Sequence, residues 1–290
     1  MKPIAVTGVS GHTGRVAAER LLARSLPVRV IVRDARKGEP WKELGAEVAV
    51  ADLGDEAALK RAFDGVDGVY LLLPPKLDAR DFLADRKRLV ETIARALQAA
   101  VVPHVVFLSS VGAQLPSGTG PILALRHSEQ VLESASASVT FLRPSFFMEN
   151  WGMVLPAVKS DGVLPTFLPP ERAFPQIATQ DIGGVVAREL LIPGRGAKHV
   201  ELSGPVASPR EVADAFSRLL GRTVQPEVAP LSAIVPTFTS MGVSDNVARL
   251  FAEMYGTLGS GQLVFEKPES VELMPTALID GLRGLLASGS

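Results

Sequence analysis

The sequence predicts an α/β protein built on a doubly wound parallel sheet, with a smaller lobe toward its carboxyl end. Three observations carry that expectation. Short apolar runs alternate with amphipathic stretches from residue 3 to about residue 142, the rhythm of parallel strands joined by crossover helices. The first run, residues 3–6, passes directly into T-G-V-S-G-H-T-G at 7–14, a glycine-rich turn that opens a helix. After Trp151 the rhythm breaks on prolines 156, 165, 169, 170 and 175, so a second region begins there.

Composition narrows the function classes. The chain has 290 residues, 47% hydrophobic and 21% charged, which is enough to bury a substantial core. Its formal net charge of −1 gives no electrostatic case for nucleic acid. Without cysteine there is no disulfide, thiolate metal site or cysteine nucleophile, and histidines 12, 104, 127 and 199 are too scattered for a metal set. No apolar stretch approaches the ~18 residues of a membrane span. Met1 leads within two residues into a core strand, so neither signal peptide nor anchor is expected and the protein reads as soluble and cytoplasmic.

In the first turn, Gly8, Gly11 and Gly14 allow a sharp bend, close approach to a pyrophosphate, and packing of the helix on its strand. Thr7, Ser10, His12 and Thr13 complete this cradle, and the helix N-terminus offers free N–H groups to phosphate. The spacing is G-x-x-G-x-x-G, so the context must support it. The second strand, Val28–Val32, ends on Arg33, about 20 positions past the turn, where a dinucleotide fold meets the adenosine ribose. An arginine there, with Arg36 and Lys37 close by, suits a 2′-phosphate better than a 2′-hydroxyl, so NADPH is the expected cofactor. A solvated basic loop is the simpler alternative.

Residues 47–51 form a third strand closing on Asp52 and Leu53. Asp52 is placed to accept from the adenine amino group, although acids here are also ordinary turn chemistry. Asp55 caps a helix to Phe63. The fourth strand, 68–73, ends at Leu73 and is stopped by Pro74 and Pro75, which hold the loop rigid beside a nicotinamide ribose. A long helix over 80–100 precedes the fifth strand, 104–108, whose carboxyl end carries Ser109 and Ser110. Ligands of such sheets bind at that edge. Residues 114–121 read as a loop able to act as a flap, 122–135 as a helix, and 139–142 as a sixth strand delivering Arg143 through Asn150.

In the second region Asp181 reads as the cap of a helix to Leu191, and residues 199–202 read as a strand. Ser208 through Glu211 is a capping box. Residues 233–258 read as further helix and 264–265 as a short strand. The expected division is a dinucleotide-binding domain over 1–150, with 176–204 returning to its sheet, and a small substrate lobe of 151–175 and 205–290. Substrate would lie in the cleft between them.

Several of these stretches together resemble the NmrA-like group of atypical short-chain dehydrogenases/reductases. They are T-G-x-x-G-x-x-G at 7–14, V-R-D at 32–34, L-S-S at 108–110, L-R-P-S-F-F-M-E-N at 142–150, A-T-Q-D-I-G at 178–183 and E-L-S-G-P at 201–205. The resemblance implies a Rossmann domain binding NAD(P)H and a smaller carboxyl-terminal lobe; Ser109 and Pro144, at the carboxyl edge of the sheet, are further cofactor-binding candidates, and a monomer or homodimer is expected. The resemblance also implies one of two roles: reduction of quinones, azo compounds, triphenylmethane dyes or phenylpropanoids, or sensing of the nicotinamide pool. The wider superfamily's catalytic pair, a tyrosine four residues before a lysine, is absent. Tyr70 and Tyr255 are followed at that spacing by Pro74 and Gly259, and counting back from Glu129 puts the family lysine near Leu125.

His127 is the candidate proton donor on that helix, weighed against a plain surface histidine. Ser110 is a candidate partner for a substrate oxygen or the carboxamide. Phe146, Phe147 and Trp151 are candidates for an aromatic wall or for lobe packing, and Asn150 for orienting ligand or capping a turn. A quinone or dye accepts hydride without a strong protein acid. The leading expectation is therefore NADPH-dependent reduction of a conjugated small molecule, with a non-catalytic NADP(H)-binding sensor as the alternative and no metal, nucleic-acid or membrane partner.

Overall fold

The computed structural model describes residues 2–288. Strands and helices alternate through the first half as β1 (Ile4–Val6), α1 (His12–Leu22), β2 (Val28–Val32), α2 (Glu39–Glu43), β3 (Glu47–Val50), α3 (Glu56–Phe63), β4 (Gly68–Leu71), α4 (Phe82–Ala99), β5 (His104–Leu108), α5 (Ile122–Leu132) and β6 (Ser138–Pro144). The chain continues as β7 (Phe146–Phe147), α6 (Leu155–Asp161), β8 (Val163–Thr166), β9 (Phe174–Ile177), α7 (Thr179–Glu189), β10 (Gly196–Ser203) and β11 (Val206–Ala207). It ends with α8 (Pro209–Leu220), β12 (Gln225–Val228), α9 (Ile234–Ser240), α10 (Asp245–Ser260), β13 (Glu272–Leu273) and α11 (Leu278–Ser288).

Eight strands form one sheet in the order β13-β10-β6-β5-β4-β1-β2-β3, and every pairing in it is parallel. The inner strands are rich in valine and isoleucine and buried on both faces, as a sheet covered by helices on each side requires. One face packs Val6, Val30 and Leu142 under α1 and α7, with Ile182 and Val186 opposite. The other packs Val69, Val105 and Phe107 under α3 and α4, through Leu59, Ile93 and Leu97. The strand order reverses at β1, which has β2 on one side and β4 on the other, and such a reversal opens a crevice at the carboxyl ends. A separate core of Trp151, Leu164, Phe174, Phe216 and Leu282 holds the later elements together.

Side-chain caps fix several helix starts. Asp55 accepts from Ala58 N and Asp81 from Ala84 N, each at 3.0 Å, and Ser208 with Glu211 forms the reciprocal box. The second region departs from expectation in three places. The helix expected over 233–258 is two helices, broken at Met241 and Gly242, where Gly242 takes φ +86°. Helix α7 begins at Thr179 on Ala178; Asp181 lies inside the first turn and accepts from Thr276 N at 3.2 Å. The short strand is β13, which pairs with β10, while 264–265 is irregular. These pairings link residues 70 or more apart, so local pattern does not encode them. No helix among the described residues is long and apolar enough to cross a membrane.

Candidate functional site

A cavity of about 880 Å³ opens over the carboxyl ends of β1, β2, β3 and β4. Its walls are the glycine turn (Thr7, Gly8, Val9, Ser10), the end of β2 (Arg33, Asp34, Lys37) and the end of β3 (Asp52, Leu53). The loop after β4 (Leu72, Pro74 to Asp78), the inner side of α4 and Gly242 close it.

The glycine turn is shaped by backbone contact. Gly8 has φ +66°, and a Cβ there would meet the Leu72 side chain at 2.6 Å. At Gly14 a Cβ would lie 2.5 Å from Thr7 O and 2.6 Å from Gly8 O, so the helix reaches its strand only because this residue has no side chain. Beneath the turn, Thr7 N and Oγ1 both donate to Tyr70 O, and the buried Tyr70 hydroxyl shares a 2.8 Å hydrogen bond with Thr13 Oγ1. Burial pushes the Tyr70 hydroxyl well above its ordinary range, the Thr13 bond offsetting part of that. Tyr70 is thus a neutral post under α1, unsuited to proton transfer. Tyr70→Phe is expected to weaken dinucleotide binding about threefold to tenfold, by loosening Thr13 in the first turn, with a calorimetric titration as the check.

The residues present fit a dinucleotide at both ends of this cavity. Gly11 is the N-cap of α1 and supplies no side-chain cap, so the first-turn N–H groups have no side-chain acceptor. That arrangement suits an anion. At the β2 end, Arg33 is exposed and makes no ion pair or hydrogen bond among the described residues, and Lys37 lines the same wall. Arg36 behaves differently: its Nη2 lies 2.6 Å from Asp34 Oδ2, and it does not line the cavity. Those hydrogen bonds from Arg36 hold the Asp34 carboxyl below its usual range. Asp52 lines the cavity and also accepts from Gly54 N at 2.8 Å, so it serves the turn after β3 as well.

Other sequence candidates are distributed around this cavity. Gly11, His12, Thr13 and Gly14 lie at the start of α1, just beyond its wall. Leu73 packs toward α4 while Leu72 faces the cavity. Ser109 and Ser110 sit at the end of β5 beside the buried Pro144, whose carbonyl accepts from Val111 N at 2.9 Å. Ser109 Oγ donates to Glu129 Oε1 at 2.5 Å, and Ser110 Oγ donates to Val111 O at 3.0 Å.

His127 faces α4, where its Nε2 stands 4.0 Å from Glu91 Oε1, away from the cavity wall. Phe146 packs edge-on against Phe174, and Trp151 is buried with its indole N–H on Gln176 Oε1 at 2.9 Å, so both serve the lobe's core. Phe147 packs against the core under α1 and α7, and Asn150 is exposed. The loop at 114–121 is fastened: Gln114 Nε2 donates to Val264 O at 2.7 Å, and Thr257 Oγ1 donates to Gly118 O.

Two features escaped the sequence reading. Arg86 is buried in α4 and donates from Nη1 to Pro74 O at 2.8 Å, with Asp85 as its ion-pair partner. Its signal was available, because residues 82, 86, 90, 93 and 97 form one helical stripe and the other four are buried apolar residues. The second is a buried ionic network. Arg143 bridges Glu129, with Nη2 at 2.6 Å from Oε2, and Glu266, while Glu201 accepts from the N–H groups of Glu266 and Lys267 at 2.8 Å.

Burial alone would raise the Glu129 carboxyl, but hydrogen bonds from Arg143, His199 and Ser109 outweigh it and hold the group down at about 2. A depressed carboxyl stabilises the fold above its unfolded value, near 4.5, and that contribution drains away as pH falls toward 2. It amounts to on the order of 3 kcal/mol. Glu129→Gln is expected to lose about that much stability at pH 7 and to show a flatter acid limb in urea unfolding. An unaltered acid limb would contradict the assignment.

The sequence matches the NmrA-like family over residues 1–277. It is 29% identical over 254 residues to an NAD(P)H azoreductase of Xenophilus azovorans, covering 87% of this chain and 86% of that protein. It is 33% identical over 224 residues to a (4-alkanoyl-5-oxo-2,5-dihydrofuran-3-yl)methyl phosphate reductase of Streptomyces griseus, covering 77% and 75%. Among solved structures, an NADPH-dependent quinone oxidoreductase of Escherichia coli complexed with NADPH shares the fold, with a TM-score of 0.83 at 23% identity over 98% of this chain and 99% of that one. A family match spanning nearly the whole sequence, on a doubly wound sheet with its cavity at the strand-order reversal, places this chain in the NmrA-like family.

Proposed function

We propose that this protein is an NADPH-dependent reductase that passes a hydride to a flat, conjugated acceptor such as a quinone, an azo compound or a dye. The observation that carries the reading is the cavity itself: an uncapped helix N-terminus on a glycine turn at one point, and the unpaired Arg33 with Lys37 at the ribose distance. The turn from Gly8 to Gly14 would hold the pyrophosphate, Arg33 and Lys37 the 2′-phosphate, Asp52 and Leu53 the adenine, and Leu72 with Pro74 the nicotinamide half. Bound there, the reduced nicotinamide supplies a hydride. The acceptor is received between the carboxyl edge of the sheet and the lobe formed by 151–175 and 205–290.

The chemistry of the edge narrows the acceptor. Ser109 commits its proton to Glu129, Ser110 commits its proton to a backbone carbonyl, and Tyr70 is buried under the glycine turn. No strong acid is offered at this edge by β5. Reduction of an unactivated ketone needs one, whereas a conjugated acceptor spreads the arriving charge and takes its proton from water. The azoreductase relative and the quinone oxidoreductase of the same fold support this class of acceptor. A steady-state panel read at 340 nm tests it: p-benzoquinone and an azo dye are expected to consume NADPH, and cyclohexanone is not. Turnover of cyclohexanone with none of quinone or dye overturns the reading. The same committed hydroxyls favour a second reading, an NADP(H)-binding sensor, which NADPH binding without consumption by any acceptor would establish.

A further inference from the structure

The loop 74–81 faces the glycine turn across the cavity and holds its shape through partners outside itself. Pro74 and Pro75 have no N–H to give, and the internal bond is a long one, Ala79 N to Lys76 O at 3.3 Å. Its carbonyls are taken from two sides. From α4, Arg86 donates to Pro74 O at 2.8 Å. From the second region, the turn between α9 and α10 reaches over: Ser244 N donates to Leu77 O at 2.8 Å, and Ser244 Oγ to Ala79 O at 2.6 Å. Asn246 Oδ1 accepts from Phe82 N at 2.9 Å, a first-turn N–H of α4. Val247 and Phe251 pack on Ala79 and Phe82 behind these bonds, and Gly242 of the same turn lines the cavity beside Leu77.

We propose that Ser244 and Asn246 are positioning residues for the cofactor: through them the second region holds the wall at Leu77 and Asp78 where it closes on the dinucleotide. The inference rests on the reading of this cavity as the NADPH site. Its physical basis is a population argument. With the clamp cut, the wall occupies its closing position for only a fraction of the time, and the apparent dissociation constant rises as the inverse of that fraction. Saturating cofactor restores the wall, so turnover at saturation is preserved. A purely structural role behaves differently, lowering the amount of folded protein while leaving the affinity of the remainder unchanged.

The test uses the full chain. Asn246 acts only as an acceptor toward Phe82, so Asn246→Asp keeps the bond at a helix N-terminus, where a carboxylate is favoured, and Asn246→Leu removes it at similar volume. Asn246→Leu is expected to weaken NADPH binding about fivefold to tenfold in a fluorescence titration, with kcat for p-benzoquinone at saturating NADPH within about twofold of the unaltered protein. Asn246→Asp is expected to bind as the unaltered protein does. Ser244→Ala, which removes the donor to Ala79 O, is expected to shift affinity in the same direction and serves as the reading should the leucine variant not fold. Unchanged affinity in the folded variant, or a smaller titration endpoint at unchanged affinity, overturns the inference. Absence of NADPH binding by the unaltered protein overturns the functional reading and the inference with it.

Discussion

Gly14→Ala is expected to abolish measurable NADPH binding and to lower the melting temperature by several degrees. The added methyl would stand 2.5 Å from Thr7 O, 2.6 Å from Gly8 O and 2.7 Å from Gly8 C. All three are backbone atoms of the turn, so relief requires the turn or the whole helix to move rather than a side chain to rotate. Overpacking of this kind costs about 1–3 kcal/mol of stability. The effect on binding is larger, because displaced first-turn N–H groups no longer converge on a phosphate, and an affinity loss of roughly a hundredfold or more follows. Thermal unfolding followed by far-ultraviolet circular dichroism, together with a fluorescence titration, checks both halves.

The second large effect is a change of cofactor. Arg33→Asp is expected to weaken NADPH about a hundredfold and NADH little, so that the preference reverses. The guanidinium carries no internal ion pair, so its removal leaves no buried partner exposed and the effect falls on the ligand. Charge-assisted hydrogen bonds are worth about 1.5–3 kcal/mol, and a carboxylate facing a phosphate adds repulsion to their loss. Parallel titrations of the variant with NADPH and NADH measure the ratio; an unchanged ratio would move the 2′-phosphate away from Arg33.

The parts of this molecule that were legible in sequence are those in which one short segment decides the outcome. The glycine turn, the strand leading into Arg33 and the capping box at Ser208 each carry their own geometry in a few residues, whereas β4 ends at Leu71, two residues before the end expected at Leu73 against Pro74 and Pro75. The parts that were not legible depend on meetings between distant segments. Whether Arg36 reaches a ligand depends on a two-residue bond to Asp34 that competes for it. His127 points at Glu91 because the helical rotation that buries Ser128 and Glu129 against the sheet turns it toward α4. Trp151 went to the lobe's core because Gln176, 25 residues on, offers its indole N–H an acceptor. The break at 241–244 reads as helix until Gly242 is seen with a positive φ, and the bonds of Ser244 and Asn246 to 77–82 span more than 160 residues.

The network around Glu129 shows how the empty catalytic positions and the rest of the edge fit together. In place of a tyrosine and a lysine, α5 brings a carboxylate held ionised at neutral pH, which fixes Ser109 and Arg143. Such an edge fits the proposed class of acceptor, which needs positioning more than acid.

The decisive question is whether hydride leaves the bound cofactor for such an acceptor. The direct measurement is an anaerobic single turnover: protein in excess over NADPH, mixed rapidly with p-benzoquinone and followed at 340 nm. An exponential loss of NADPH absorbance is expected, far faster than the reaction of free NADPH with the same quinone, and slower by about a hundredfold or more in Gly14→Ala. Tight binding with a loss no faster than that of free NADPH would contradict the proposed reduction and would make the protein a holder of NADPH that does not spend it.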